Sequence, residues 1–227
     1  MSKKNWFYTI LIVIFSIICG VITKDYFAGT VILMCGLLNA YYASIGKVVN
    51  YVFGGLYSCF VAYVSYINGL YGLASFSVFV YVPSQIYGYI SWKKSMKKNN
   101  NTTGEVNVRG FTLKFSLMLT FFVVTLSFIF GYLLNLIPSQ NLAFLDSSSN
   151  IINLCAVVLM NYRYKECWMI WLVNNTIDLI IWIVNTVKGT PNSTMMLLVS
   201  IGFLSINVYG LYKWIKMEHK SDGVIGV

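Results

Sequence analysis

Apolar and polar positions alternate in long blocks along this chain, and the apolar blocks have the length of membrane-spanning helices. About twenty apolar residues are needed to cross the hydrocarbon core of a bilayer. Eight segments reach that length and are separated by short polar stretches; they cover residues 5–23, 26–45, 48–67, 71–92, 111–134, 142–161, 166–187 and 192–214. The pattern therefore predicts an all-α integral membrane protein with eight transmembrane helices.

Composition supports the membrane class and argues against several others. The chain is 58% hydrophobic and only 10% charged, whereas about a quarter of the residues in soluble domains are charged. Its five cysteines are scattered within apolar runs, so neither a disulfide framework nor a metal site is expected. With His219 as the single histidine and no glycine-rich phosphate loop, the sequence predicts neither an enzyme nor a resident cofactor.

The net charge of +9 is explained by where the basic residues lie. If the N-terminus is cytoplasmic, fourteen lysines and arginines fall on the inner side, and only Lys24 and Lys188 fall outside. Such a bias is typical of cytoplasmic loops in membrane proteins. We therefore expect both termini in the cytoplasm, membrane lipid as the surrounding partner, and no nucleic-acid binding.

An internal repeat relates the two halves of the chain. YGYISW (87–92) and YGLYKW (209–214) share Tyr-Gly-x-x-x-Trp at an offset of 122, each at the end of a predicted helix. GKVVNYVFGGLY (46–57) can be laid on YKECWMIWLVNN (164–175) at an offset of 118, which implies a four-residue insertion between the two matches. Segments 2–4 and 6–8 would then be parallel repeats joined by segment 5, and the first helix would lie outside them.

This plan divides the chain into four parts. In order they are an extra N-terminal helix (1–25), a first three-helix repeat (26–92), a basic cytoplasmic loop with a linker helix (93–137), and a second three-helix repeat with a cytoplasmic tail (138–227). In transporters built from such repeats, the substrate site lies near the middle of the membrane between the halves.

The seventh segment carries unusual polarity for its depth. Trp168, Trp171, Asn174 and Asp178 recur at steps of three and four, so they share one helix face. A carboxylate inside a membrane is costly unless it faces a cavity or a partner. Two interpretations follow. Either the indoles stack a ligand ring while the amide and carboxylate bind hydroxyls, or the face only packs and the polar groups join helices.

Three further polar residues are candidate substrate contacts in the first repeat. Gln85 lies two residues after Pro83, a proline that removes one backbone hydrogen bond from its helix. Asn39 and Asn50 lie within predicted spans, where each could bind a ligand or join two helices.

At these residues the sequence resembles a known family. The resemblance is carried by GLLNAYYASIGKVVNYVFG (36–54), VPSQIYGYISWKK (82–94) and LDSSSNIINLCAVVLMNYRYKECWMIW (145–171), with Trp-x-x-Trp and Asn-x-x-x-Asp at 168–178. Over nearly its whole length the chain resembles the PnuC-type nicotinamide riboside transporters. These are bacterial permeases related in fold to the SWEET sugar transporters.

The resemblance implies a bacterial inner-membrane facilitator with a three-plus-one-plus-three core, whose small-molecule substrate is trapped inside by a separate kinase. It also implies that Gln85, Trp168, Trp171, Asn174 and Asp178 line the substrate site. Nicotinamide riboside is the expected substrate; a deoxynucleoside, thiamine or riboflavin on the same fold is the alternative, and a non-transporting membrane scaffold is the third. Related folds often associate, so a homo-oligomer is compatible with the sequence.

Overall fold

The computed structural model describes residues 3–67, 76–98, 108–136, 143–189 and 193–225, and eight helices lie within these ranges. They are α1 Lys3–Thr23, α2 Ala28–Ser44, α3 Asn50–Ile67, α4 Val82–Lys98, α5 Leu113–Asn135, α6 Ala143–Asn161, α7 Glu166–Val187 and α8 Ser193–Ile225. A π turn, Ser77–Tyr81, runs directly into α4. The predicted all-helical fold is confirmed.

The outer surface of the bundle is suited to lipid. Five of the described helices, α1, α5, α6, α7 and α8, are long and apolar enough to cross a membrane, and α2 is a shorter apolar helix. Large apolar side chains are exposed on them and on the π turn: Phe79 is 77% exposed, Phe121 75% and Val187 84%. Because water would penalise so much exposed apolar surface, the lipid tails of a bilayer are its natural solvent. The chain is a multi-pass membrane protein.

Two helices continue beyond the predicted membrane segments. Residues 93–98, predicted as the start of a loop, form the last turns of α4, and the predicted tail is helical as far as Ile225. Lysine and methionine are good helix formers, so nothing in KKSMKK ends the helix where the apolar segment stops. Residues 71–75 of the fourth predicted segment and 99–107 of the loop lie outside the described residues. The four-part division of the chain stays a prediction.

Six helices form a closed ring. Going around it, α2 packs on α3, α3 on α4, α4 on α6, α6 on α7, α7 on α8, and α8 returns to α2. The first helix of each predicted repeat therefore contacts the last helix of the other. Helix α1 lies outside the ring against α2 and α8, and α5 lies outside it against α6. The ring encloses the space in which the polar side chains of both halves meet.

The turns between the first two helices of each repeat have the same backbone structure. Gly46 and Arg163 both have a left-handed conformation, with φ of 67° and 69°. The N–H of Gly46 donates to the carbonyl of Ala43, and the N–H of Arg163 donates to that of Met160, both at 2.9 Å. Arg163 lies 117 positions after Gly46, so the predicted offset of 118 is wrong by one residue.

Two tryptophans join the repeats at these turns. The indole N–H of Trp92 donates to the carbonyl of Met160 at 3.0 Å, and that of Trp214 donates to the carbonyl of Ala43 at 2.9 Å. Each tryptophan ends its own repeat and bonds the first helix of the other one, as a two-fold relationship requires. Trp214 follows Trp92 by 122 positions, as predicted, so the insertion between the two matches is five residues long, not four.

The same relationship organises the aromatic core at this end of the bundle. Tyr51 meets Trp92 edge-on at 5.0 Å, Trp168 meets Trp214 edge-on at 5.7 Å, and Trp92 contacts Trp214 at 5.8 Å between ring centroids. None of these four rings, called here the aromatic cluster, is more than 4% exposed. They close the ring of helices at the end that carries Lys47, called the basic end below.

Two glycines make room for the aromatic cluster. A Cβ on Gly210 would lie 2.5 Å from Trp168, and one on Gly88 would lie 2.1 Å from Tyr51. The glycines are 122 positions apart, like Trp92 and Trp214. The absence of a side chain at both sites lets an aromatic ring lie directly on the neighbouring helix backbone.

Gly210→Ala is expected to lower the melting temperature of the detergent-solubilised protein, because overpacking a well-filled core costs about 1–3 kcal/mol. Gly55→Ala is the matched control, since a Cβ on Gly55 meets nothing within 4 Å. Alanine in that helix should be neutral or slightly stabilising. The melting temperature of each variant is measured by heating samples and monitoring the remaining folded protein by size-exclusion chromatography. Equal melting temperatures for the two variants would contradict the tight packing at Gly210.

A short extended segment crosses the second repeat at the basic end. The N–H of Arg109 donates to the carbonyl of Arg163 at 2.8 Å, and the N–H of Lys165 donates to the carbonyl of Arg109 at 3.0 Å. The N–H of Phe111 donates to the Glu166 carboxylate at 2.9 Å. Glu166 therefore links the chain before α5 to the start of α7. In the same turn, burial and then the charge of Arg109 lower the pKa of the Arg163 guanidinium.

Candidate functional site

A carboxylate with two internal donors lies at mid-length on α7. The hydroxyl of Ser149 on α6 donates to one oxygen of Asp178, and the side-chain amide of Asn174 donates to the other at 2.8 Å. Because the amide nitrogen of Asn174 points to Asp178, the side-chain oxygen of Asn174 points away from it. That buried oxygen has no hydrogen-bond partner within the described structure. Asn174 and Asp178 together thus offer a ligand a buried hydrogen-bond acceptor, the Asn174 oxygen, next to the negative charge of Asp178.

Trp171 lies one turn closer to the basic end and is held by a second amide. Its indole N–H donates to the side-chain oxygen of Asn153 on α6 at 3.1 Å, and the amide nitrogen of Asn153 donates to the hydroxyl of Tyr81 at 2.8 Å. Tyr81 ends the π turn of the first repeat. This chain of two hydrogen bonds crosses from the second repeat to the first.

Tyr57 on α3 lies near Asp178 and Tyr81. Its ring meets Phe203 of α8 edge-on at 6.1 Å, and a Cβ on Gly36 of α2 would lie about 3.0 Å from both rings. Tyr57 of α3 therefore touches or approaches residues on four other elements around the enclosed space.

The side chains of Gln85 and Asn39 both lie against the backbone of Gly54. A Cβ on Gly54 would lie 2.1 Å from the amide nitrogen of Asn39 and 2.3 Å from the side-chain oxygen of Gln85. That oxygen of Gln85 is buried and has no partner within the described structure. Gln85 on α4 follows Tyr81, the last residue of the π turn, by four residues, so the two lie near one face of the continuous helix.

Two of the predicted site residues lie apart from this group. Trp168 is 0% exposed in the aromatic cluster, where its ring contacts Trp214 and, at 5.4 Å, the edge of Trp171. Asn50 is 0% exposed at the start of α3, and both ends of its amide are without a partner in the described structure. The structure therefore brings Asp178, Asn174 and Trp171 together, and Gln85 with Asn39, while Trp168 and Asn50 lie nearer the basic end.

The sequence pattern alone does not single out Ser149, Asn153, Tyr81 or Tyr57. A signal for the first two was present, because Ser149 and Asn153 are four residues apart in a predicted helix and therefore share a face. Tyr81 and Tyr57 had no comparable signal, since the chain contains seventeen tyrosines.

A ring of six membrane helices that brings aromatic, amide and carboxylate groups together is typical of a transporter. Residues 26–216 match the family described as nicotinamide mononucleotide transporter. The chain belongs to this family of membrane transporters, as the sequence resemblance had predicted.

Individual relatives agree with this assignment. The chain is 32% identical over 205 residues to a protein of Neisseria mucosa named nicotinamide riboside transporter PnuC, covering 89% of this chain and 77% of the relative. It is 28% identical to the Haemophilus influenzae protein of the same name, covering 93% and 89%. A crystal structure of the vitamin B3 transporter PnuC superimposes with a TM-score of 0.81 at 27% identity, covering 97% of this chain and 94% of that one.

Proposed function

We propose that the protein carries nicotinamide riboside across the membrane by facilitated diffusion, and that a separate kinase traps the substrate inside. The observation that carries the proposal is the set formed by Trp171, Asn174 and Asp178. It combines an indole, a buried acceptor without a partner among the described residues, and a carboxylate, all within two turns of one helix. A pyridinium riboside is complementary to it, because it offers a flat cationic ring together with amide and hydroxyl donors.

Each group has a definite task in this proposal. Trp171 stacks the nicotinamide ring, as indoles do with aromatic and cationic ligands. The side-chain oxygens of Asn174 and Gln85, which have no partner in the part of the chain that the structure describes, accept hydrogen bonds from the carboxamide or the ribose hydroxyls. Asp178 orients Asn174 and favours the positive ring through its charge. Trp168 supports Trp171 from the basic end, and its own predicted stacking role, like the contacts predicted for Asn39 and Asn50, stays a prediction.

The charge distribution favours the riboside over the mononucleotide. A phosphate near Asp178 would meet like charge in a medium of low dielectric constant. No lysine or arginine lies between residues 115 and 162 or between 166 and 187, so the two helices that carry the network bring no cation to this depth. A nucleotide would therefore lack a compensating charge on α6 and α7.

Transport would proceed by rocking of the two repeats about the enclosed site. The aromatic cluster then acts as the gate at the basic end, because its two indole hydrogen bonds join opposite repeats. The positive-inside bias supports a cytoplasmic basic end with both termini on that side. Separation of the repeats there would break both indole hydrogen bonds and open a path to the cytoplasm.

Calorimetry on the purified protein with nicotinamide riboside, its mononucleotide, thiamine, riboflavin and deoxynucleosides tests the substrate. We expect binding of nicotinamide riboside and at least tenfold weaker binding of the mononucleotide, because the phosphate meets Asp178. Tighter binding of another member of the panel would transfer the function to that compound. Uptake into proteoliposomes tests the mechanism. Facilitated diffusion predicts that uptake stops at equal concentrations on both sides and does not change when the proton gradient is dissipated. Absence of any binding or flux would favour a scaffold.

A further inference from the structure

Asn153 uses both ends of one side-chain amide to connect three elements of the site. Its oxygen accepts the indole N–H of Trp171 at 3.1 Å, and its nitrogen donates to the hydroxyl of Tyr81 at 2.8 Å. Trp171 and Asn153 belong to the second repeat and Tyr81 to the first. The orientation of the indole is therefore tied to the position of the opposite half of the protein.

The π turn that ends at Tyr81 has an identifiable cause. The N–H of Val82 donates to the carbonyl of Ser77, five residues earlier, and Pro83 has no N–H to donate in turn. A π turn adds one residue to a helical turn, so the side chains before and after it change their relative direction. Because Tyr81 is the last residue of this turn, the direction of its side chain depends on the π turn. Such turns are frequent at functional sites.

We propose that Asn153 is a positioning residue of the substrate site, which fixes the plane of the Trp171 indole and couples it to Tyr81 across the repeats. The inference rests on the proposed function in one respect, namely that Trp171 contacts the substrate. Without the amide, the indole of Trp171 loses the hydrogen-bond acceptor that Asn153 provides and can rotate on its side-chain torsions. A ligand would then have to order the ring on binding, and affinity would fall although Asn153 itself touches no ligand.

The experiment compares Asn153→Ala, Tyr81→Phe and Ser148→Ala. Tyr81→Phe removes one hydroxyl and keeps the ring, which contacts Phe76 at 5.8 Å. Ser148→Ala is the matched control on α6, because the Ser148 hydroxyl donates to the backbone carbonyl of Phe144 in its own helix. Two quantities are measured on each purified protein: the indole ¹⁵N–¹H resonance of Trp171, assigned by its loss in Trp171→Phe, and the dissociation constant for nicotinamide riboside.

We expect Asn153→Ala to shift the Trp171 resonance in the ligand-free protein and to weaken binding about tenfold, the size of one hydrogen bond. Tyr81→Phe should weaken binding about threefold with a smaller shift, and Ser148→Ala should change neither quantity. An unmoved Trp171 resonance in Asn153→Ala and Tyr81→Phe would overturn the inference without reference to any ligand. A shifted resonance with unchanged affinity would overturn the coupling to binding.

The two proposals fail in different ways. If wild-type protein does not bind nicotinamide riboside but binds another compound of the panel, the proposed substrate fails, and the same three variants are measured with the compound that binds. If the wild type binds and Asn153→Ala binds equally well, the substrate stands and the positioning role of Asn153 fails.

Discussion

Purified Trp171→Ala protein is expected to bind nicotinamide riboside roughly 5- to 150-fold more weakly than wild type. The reason is that stacking of a base on an aromatic side chain contributes about 1–3 kcal/mol. Trp171→Phe keeps a flat ring and should lose less affinity. Titration calorimetry in detergent measures the dissociation constants, and initial uptake into proteoliposomes should follow the same order.

Two further variants separate stacking from packing. Trp6→Ala removes an indole that is 56% exposed on α1, outside the ring, and should leave the affinity unchanged. Trp168→Ala empties a fully buried position, so we expect a lower melting temperature from a cavity that costs about 3–5 kcal/mol. Unchanged affinity in Trp171→Ala would remove the stacking role; unchanged affinity of folded Trp168→Ala would leave Trp168 with a packing role alone.

Removing both indole hydrogen bonds of the aromatic cluster should open the basic end. In the double variant Trp92→Phe with Trp214→Phe, the rings remain, but the bonds to Met160 and Ala43 are lost. Each such bond contributes about 0.5–1.5 kcal/mol, so the equilibrium between closed and open forms should shift roughly 5- to 150-fold towards the open form. Cys167, which is 0% exposed and packs in the same core, serves as the reporter.

The measurement is the rate at which a water-soluble maleimide modifies Cys167 from the basic side of oriented vesicles. Serine replaces the other four cysteines, at positions 19, 35, 59 and 155, in every variant. We expect modification at least fivefold faster in the double variant than in its parent. Trp6→Phe is the control for a tryptophan-to-phenylalanine change outside the ring. If modification is equally slow in the double variant and its parent, the aromatic cluster is a static core and the gate lies elsewhere.

Helix geometry explains which parts of the site could be predicted from the sequence. Asn174 and Asp178 are four residues apart, so their hydrogen bond follows from the helix itself. Trp168 and Trp171 are three apart, and residues so spaced differ by about 60° around the helix axis. That difference is enough to bury one indole against Gly210 and to direct the other to Asn153.

The internal repeat, too, could be predicted only in part from the sequence. Tyr-Gly-x-x-x-Trp was visible in both halves because the glycine and the tryptophan of each copy make the same contacts. The register of the preceding turns was predicted one residue out, since the left-handed position is a glycine in one repeat and Arg163 in the other. When two different residue types adopt the same conformation, the two sequences share no residue identity at that position by which they could be aligned.

The sequence by itself determined the membrane class, the number of helices and the depth of Asp178, because apolar length and helical periodicity are local properties of the chain. The tertiary structure decided which helices face one another: Ser149 against Asp178, Asn153 between Trp171 and Tyr81, and Trp92 and Trp214 on the opposite repeats. Those pairs are distant along the chain, and periodicity identifies the face of a helix without identifying the helix that packs on it.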